Sequence, residues 1–134
     1  MKKAAFLSLL FFPLLLACSH GPSAEEQAME AARVAAQGYY DFLLRGDYQQ
    51  FLSGRADADS LPSDYSEQLQ VACHQFMIQQ RQAHDGMVAA RATRAVIDSS
   101  LHVVQVFLQI DYADSTREEI VVPMVECGGE WKMR

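Results

Sequence analysis

The hydrophobic pattern changes its period once along the chain, and this change constrains the fold more than any other feature. From residue 25 to about residue 84 the apolar residues recur every three or four positions, which indicates amphipathic helices. From residue 87 onwards they alternate, which indicates strands with one buried face. Helices followed by strands with short turns predict an α+β fold, with helices covering one side of an antiparallel sheet.

Three helices are expected in the first half. The first spans residues 25–45 and ends at Gly46, which accepts a left-handed backbone at little cost. The second begins after Asp47, whose side chain can cap it, and ends at residue 51 or 52. A polar loop, residues 53–62, then precedes a third helix that runs to about His84.

The second half predicts about four strands, near residues 87–98, 101–112, 120–124 and from 131 onwards. The alternation is irregular between Arg91 and Arg94, which suggests a bulge in the first strand. Pro123 indicates a sheet edge or a second bulge, because proline cannot donate to a strand ladder. Gly128 and Gly129 predict a hairpin turn before the last strand.

The first 17 residues are interpreted as a secretory leader rather than as part of the fold. Lys2 and Lys3 precede an apolar run from Ala4 to Leu16, and small Ala17 follows. That run has 13 residues, fewer than the ~20 that a helix needs to span a bilayer.

The quartet Leu15-Leu16-Ala17-Cys18 resembles the lipobox of bacterial lipoproteins. The resemblance implies cleavage before Cys18 and acylation of its thiol, and several acyl chains on one residue anchor a protein firmly. Residues 18–24 would then form the lipidated cysteine and a tether, and residues 25–134 a single domain. Ser19 follows the cysteine, and since no Asp stands there, we expect the cell envelope and specifically the outer membrane.

The charge balance excludes one class of partner. Without Lys2 and Lys3, nine basic residues remain against seventeen acidic residues, a net charge of −8. Nucleic-acid binding needs clustered Lys and Arg, so we set it aside. A polybasic patch for anionic lipid is also missing, so membrane contact is expected through the N-terminal lipid alone.

Two segments resemble the nuclear-transport-factor-2-like superfamily. The first is the helix corner Tyr39-Tyr40-Asp41-Phe42-Leu43-Leu44-Arg45-Gly46-Asp47-Tyr48, and the second is the final hairpin, with Trp131-Lys132 after its glycine turn. Within that superfamily the chain is similar to the lumazine-binding-like lipoproteins of unknown function from Bacteroides-type bacteria. The resemblance implies a cystatin-like cone, with a curved sheet around a pocket. Members include polyketide cyclases, steroid isomerases and non-catalytic binding modules, so fold alone does not choose between these functions.

Catalytic candidates are few. His102 shares strand parity with Val104 and could face the pocket, and Asp98, Tyr39 or Tyr40 could join it as acid/base groups. The simpler interpretation, a half-exposed histidine beside a turn, is preferred. The sequence contains no metal-ligand spacing, and neither a metal nor a cofactor is expected.

Cys73 and Cys127 either form a disulfide, which the environment of an exported protein permits, or remain free thiols.

These observations lead to three functional hypotheses. The first is a lipid-anchored envelope protein whose non-catalytic domain binds a small ligand or an envelope protein. The second is a small pocket enzyme of the cyclase, isomerase or dehydratase type. The third is an envelope assembly or immunity-type interaction protein.

Overall fold

The computed structural model describes residues 20–134, and the leader and lipobox predicted for residues 1–18 lie outside them. Helices come first and a four-stranded antiparallel sheet follows, as the change of period predicts. The elements are α1 (Ala24–Leu44), α2 (Tyr48–Ser53), a 3-10 turn (Ala58–Ser60), α3 (Ser63–His84), β1 (Met87–Asp98), β2 (Val103–Tyr112), β3 (Arg117–Cys127) and β4 (Glu130–Met133).

Side-chain caps determine where α1 and α2 begin. The Ser23 hydroxyl accepts the N–H of Glu26 at 3.1 Å, and the Glu26 carboxylate accepts the N–H of Ser23 at 2.8 Å. This reciprocal pair is a capping box, so α1 starts one residue before its predicted start. Asp47 caps α2 as predicted, since its carboxylate accepts the N–H of Gln50 at 3.3 Å. Gly46 lies between the two helices with a φ of +79°.

The sheet has the order β1-β2-β3-β4, and its inner face forms the core. β2 supplies five buried side chains on alternating positions, as predicted: Val104, Val106, Leu108, Ile110 and Tyr112. Ala32 and Ala36 of α1 are completely buried against them, because their small side chains allow the helix to approach closely. The predicted bulge in β1 is confirmed between Ala92 and Arg94, and a second irregularity lies between Met87 and Ala89.

His102 does not share the inner face of a strand, which was the less favoured of its two interpretations. β2 begins at Val103, and His102 lies in the preceding turn with a left-handed φ of +53°. A left-handed residue interrupts the alternation, so strand parity does not extend to it. The His102 side chain is exposed, as the simpler interpretation states.

Pro123 lies where β4 ends. It pairs with Gln105 of β2 in unbroken register, and its carbonyl accepts the N–H of Arg134 at 2.9 Å. The N and O atoms of one strand residue point to the same side, so the missing N–H of Pro123 faces the edge beyond β4. Proline therefore removes no hydrogen bond to β2. No bulge forms at Pro123, and β3 is an interior strand whose pairing with β4 stops at Met124.

The helix α3 stands apart from the core. None of its 22 residues is buried, and Phe76 is 41% exposed although its side chain is large and apolar. The C-terminal end of α3 is nevertheless held: the N–H of Asp114 donates to the carbonyl of His84, and the His84 ring packs on Tyr112 with the ring centroids 4.4 Å apart.

Within residues 20–134, no helix is long and apolar enough to cross a membrane.

Both cysteines within the described residues are free thiols. Cys73 lies on α3 and is half-buried, whereas Cys127 is exposed at the end of β3. The disulfide alternative for Cys73 and Cys127 is therefore not formed in this structure.

Candidate functional site

Two cavities lie at opposite ends of the inner face of the sheet. The first, here called the α3 cavity, is about 530 Å³ in volume and lies between α3 and the end of β2 near Ile110. The second, here called the end cleft, is about 640 Å³ and lies where β2 begins at Val103, beside Ala28 of α1. Volumes of this size are typical of small-molecule sites.

The α3 cavity is mainly apolar. Its apolar lining comes from all three helices and from the sheet, and it consists of Leu43, Phe51, Leu52, Leu69, Ala72, Phe76, Met87, Ile110 and Ile120. The residues Leu69, Ala72 and Phe76 form the apolar face of α3 that the helical period indicates. α3 thus covers the cavity with its apolar face but does not fill it.

Four residues with polar side chains also line the α3 cavity: Tyr40, Arg55, Cys73 and Glu118. Burial raises the pKa of Tyr40 further above neutral pH, and its protonated hydroxyl can donate a hydrogen bond. Burial also raises the pKa of Cys73, an effect that the positive charge of Arg55 partly opposes. The arrangement suits a ligand with an apolar body and one or two polar groups.

Backbone contacts fix the position of Arg55. It forms an isolated parallel bridge with Met133 of β4, and the adjacent Ala56 N–H donates to the Met133 carbonyl at 2.7 Å. The guanidinium donates to both carboxylate oxygens of Asp57, at 2.9 and 2.8 Å. The segment predicted as a plain loop, residues 53–62, is therefore tied to the sheet and places a cation at the α3 cavity.

The end cleft has a different chemistry. Three ionisable side chains line it, Asp98, His102 and Glu126, together with the Trp131 indole. The rest of the lining is Ala28, Ile97, Ser99, Val103, Val104 and Val125. Asp98 is already engaged, because its Oδ1 accepts the Ser100 hydroxyl at 2.6 Å and the Leu101 N–H at 3.1 Å. These hydrogen bonds lower the pKa of Asp98 and favour its carboxylate form.

The structure separates the predicted catalytic candidates. His102 and Asp98 line the end cleft, whereas Tyr40 lines the α3 cavity. Tyr39 lines neither cavity, and its hydroxyl donates to the carbonyl of Trp131 at 2.8 Å, which is a structural contact. One acid/base site built from all of these residues is therefore not formed.

The sequence did not identify four of the lining residues as members of a site: Arg55, Glu118, Glu126 and Trp131. A signal was available for two of them. A two-residue glycine turn fixes hairpin register, so it places Glu126 opposite Trp131. Arg55 and Glu118 carry no such signal, because they come from a loop and a strand that only the tertiary fold brings together.

The outer face of the sheet also has apolar side chains. Val96 and Val121 are about half exposed, and Phe107 lies between them with the Arg94 guanidinium 3.4 Å from its ring centroid. Asp111 shares this face and accepts hydrogen bonds from Arg91 and Arg117. Within residues 20–134, no group of three or more His, Cys, Asp or Glu side chains is placed to hold a metal ion.

Comparison with known proteins supports the fold. No family model matches the sequence, and no curated protein matches it either. Among solved structures, the chain is similar to a candidate NTF2-like transpeptidase from Campylobacter jejuni, with a TM-score of 0.56 and 10% sequence identity. The match covers 73% of this chain and 92% of that one. The domain therefore has the NTF2-like α+β cone fold, and at this identity the similarity extends to fold alone.

Proposed function

We propose that the protein is a lipid-anchored envelope protein, related to the lumazine-binding-like lipoproteins, whose domain binds a small amphipathic ligand in the α3 cavity without transforming it. One observation supports the binding function most. A 22-residue helix covers an apolar cavity of about 530 Å³, yet no residue of that helix is buried.

A ligand would supply the burial that α3 lacks. Full burial of a side chain such as Phe76 is worth about 1.5–3 kcal/mol, and this side chain is 41% exposed while it lines the cavity. A ligand body that contacts Phe76 and Leu69 on one side and Ile110 on the other would dock α3 onto the sheet. A polar group on the ligand would meet Arg55 or the Tyr40 hydroxyl.

The binding test uses 1-anilinonaphthalene-8-sulfonate, which combines aromatic rings with an anionic group. We expect saturable binding to the mature protein, and Ala72→Phe should weaken it by about tenfold or more, since about 1.4 kcal/mol of lost contact corresponds to that factor. Ala83→Phe is the matched control, because Ala83 lies on the same helix outside the cavity lining. Equal weakening in both variants, or in neither, would contradict binding in the α3 cavity.

Mass spectrometry of membrane-extracted protein then distinguishes ligand from partner. A small molecule that is recovered with wild type and lost with Ala72→Phe supports the proposal. A reproducible protein partner that survives Ala72→Phe would favour the interaction-protein hypothesis, for which the exposed Val96 and Val121 on the outer face are the supporting observation.

The anchor is tested separately. Cys18→Ala should abolish incorporation of an acyl label and release the protein from the membrane fraction. Ser19→Ala is the matched control, and it should change neither result. An unchanged acyl label and membrane location in Cys18→Ala would refute the anchor and leave the α3 cavity proposal untouched.

A second candidate function is a small pocket enzyme of the cyclase, isomerase or dehydratase type, acting in the end cleft. The supporting observation is that His102, Asp98 and Glu126 line one cleft. The opposing observation is that Asp98 is held as a carboxylate in an open cleft, where water competes with substrate. Turnover of a compound from an envelope extract that His102→Gln abolishes would support the enzyme.

A further inference from the structure

Glu126 and Trp131 face each other across the last hairpin. They are directly paired residues of β3 and β4, and both side chains line the end cleft. Residues paired in this way have Cβ atoms about 4.5–5.5 Å apart. Gly128 and Gly129 enforce this register, because both adopt positive φ, +60° and +85°, as a two-residue hairpin turn requires. The hairpin therefore holds a carboxylate beside an indole ring.

Both groups are unengaged. Within residues 20–134, the Glu126 carboxylate forms no hydrogen bond or ion pair, and the Trp131 indole N–H has no acceptor. The comparison with Asp111 is informative, because two arginines neutralise that carboxylate on the outer face. The Glu126 carboxylate is thus available to a ligand.

The lining of the end cleft is negative. Asp98 and Glu126 contribute two carboxylates, and among the lining residues of the described chain there is no Lys or Arg. His102 is the single lining residue that can gain a positive charge. Anions are therefore disfavoured in the cleft, and cations are attracted.

We propose that the end cleft is a second binding site, and that it takes an organic cation with an ammonium or guanidinium group on an apolar body. A cation is attracted both by the face of an indole ring and by a carboxylate. Ile97, Val104 and Val125 would contact the carbon part of the ligand. A free amine and a basic side chain of a partner protein share this chemistry.

The natural fluorescence of the protein reports directly on this site. Trp131 is the single tryptophan of the chain and lines the end cleft, so tryptophan emission reports on the surroundings of this residue. The mature protein is titrated with n-butyltrimethylammonium, with n-butanol as the neutral probe and with butanoate as the anionic probe. Nα-acetyl-lysine amide represents a basic side chain. We expect a saturable change with the two cations and none with the other two compounds.

Two variants sharpen the test. Glu126→Gln removes the charge and keeps the shape, and it should weaken cation binding by about twofold to fivefold, because an ion pair with an exposed carboxylate is weak. Glu67→Gln, an exposed carboxylate on α3, should leave the affinity unchanged. Tighter binding of Nα-acetyl-lysine amide would favour a basic side chain as the ligand, and tighter binding of n-butyltrimethylammonium would favour a small ammonium compound.

Three results would overturn the proposal: no saturable response to either cation, an equal response to n-butanol, or an unchanged affinity in Glu126→Gln. The α3 cavity variant Ala72→Phe should not alter cation binding. Failure of this site is therefore distinguishable from failure of the proposed function.

Discussion

The side-chain oxygen of Gln37 accepts the backbone N–H of Ala92 at 2.8 Å. The same amide donates to the carbonyl of Ala90, also at 2.8 Å, so that one side chain pairs with β1 as a neighbouring strand would. Arg33 extends this pairing, since its guanidinium donates to the Ala92 carbonyl at 3.1 Å. β1 is an edge strand, and α1 thereby covers backbone groups that would otherwise be open to another chain.

Gln37→Ala should therefore destabilise the domain. It leaves a part-buried N–H and a part-buried carbonyl without partners, and each unsatisfied group costs about 1–3 kcal/mol. Urea unfolding should show this loss, and hydrogen exchange should show faster exchange of the Ala92 amide. The matched control is Gln79→Ala on exposed α3, which should change stability by less than about 0.5 kcal/mol. Similar losses in both variants would contradict the role of Gln37.

The pairing of Gln37 with β1 also illustrates what the sequence could predict. Strand alternation correctly places Val104 and its neighbours in the core, whereas the sequence shows Gln37 only as a polar residue within α1. The direction of a polar side chain after docking depends on how close the helix lies to the sheet. Local periodicity contains no information on that distance.

The candidate sites show the same limit. Register within one hairpin can be predicted, so the pairing of Glu126 with Trp131 could have been predicted from the sequence. The α3 cavity could not be predicted, because it depends on the position of α3 relative to a sheet that α3 barely contacts. The start of β2 at Val103 could not be predicted, because His102 adopts a left-handed backbone that ends the alternation, and the sequence between Asp98 and Val103 does not mark it.

Gly54 and Tyr39 provide a second stability prediction. A Cβ at position 54 would lie 2.5 Å from Cδ1 of the Tyr39 ring, so Gly54→Ala must displace that ring. The Tyr39 hydroxyl would then lose its contact with the Trp131 carbonyl. We expect a loss of about 1–3 kcal/mol, the usual cost of overpacking, in thermal or urea unfolding.

The matched control for this substitution is Gly38→Ala in the middle of α1. Nothing lies within 4 Å of a Cβ at position 38, so this change should stabilise the domain by about 0.5–1 kcal/mol. Tyr39→Ala combined with Gly54→Ala should show less than additive loss, because the clash is gone. Strict additivity would indicate that the ring and the glycine are not coupled.

The ion pairs of Asp111 predict that the stability of the domain depends on pH. Hydrogen bonding to Arg117 and the charges of Arg117 and Arg91 hold the pKa of Asp111 below its usual range. The folded-state pKa of Asp111 lies below the unfolded value of about 3.9. The ionised carboxylate therefore stabilises the folded domain above that pH, and this stabilisation is lost as the pH falls through the folded-state pKa. The stability difference between wild type and Asp111→Asn should therefore be constant near neutral pH and should shrink below about pH 4. Unfolding at several pH values measures this difference.

Salt provides the control for the Asp111 prediction. The two arginines are exposed, so 1 M NaCl should reduce the difference between wild type and Asp111→Asn at neutral pH. Glu67→Gln, which removes an exposed carboxylate without an ion pair in the described part of the chain, should show neither the pH nor the salt effect. A difference that persists unchanged at low pH would show that the contribution of Asp111 does not depend on its charge.

Thiol reactivity links Cys73 to the α3 cavity. The thiolate is the reactive form, and burial raises the pKa of the Cys73 thiol, so Cys73 should react more slowly than exposed Cys127. Maleimide labelling of the non-reduced protein, with peptide mapping by mass spectrometry, gives both rates. Saturating 1-anilinonaphthalene-8-sulfonate should slow the labelling of Cys73 further, because Cys73 lines the cavity, and should leave Cys127 unchanged. Equal protection of both thiols would place the bound probe elsewhere, and labelling of both only after reduction would show that Cys73 and Cys127 are bridged.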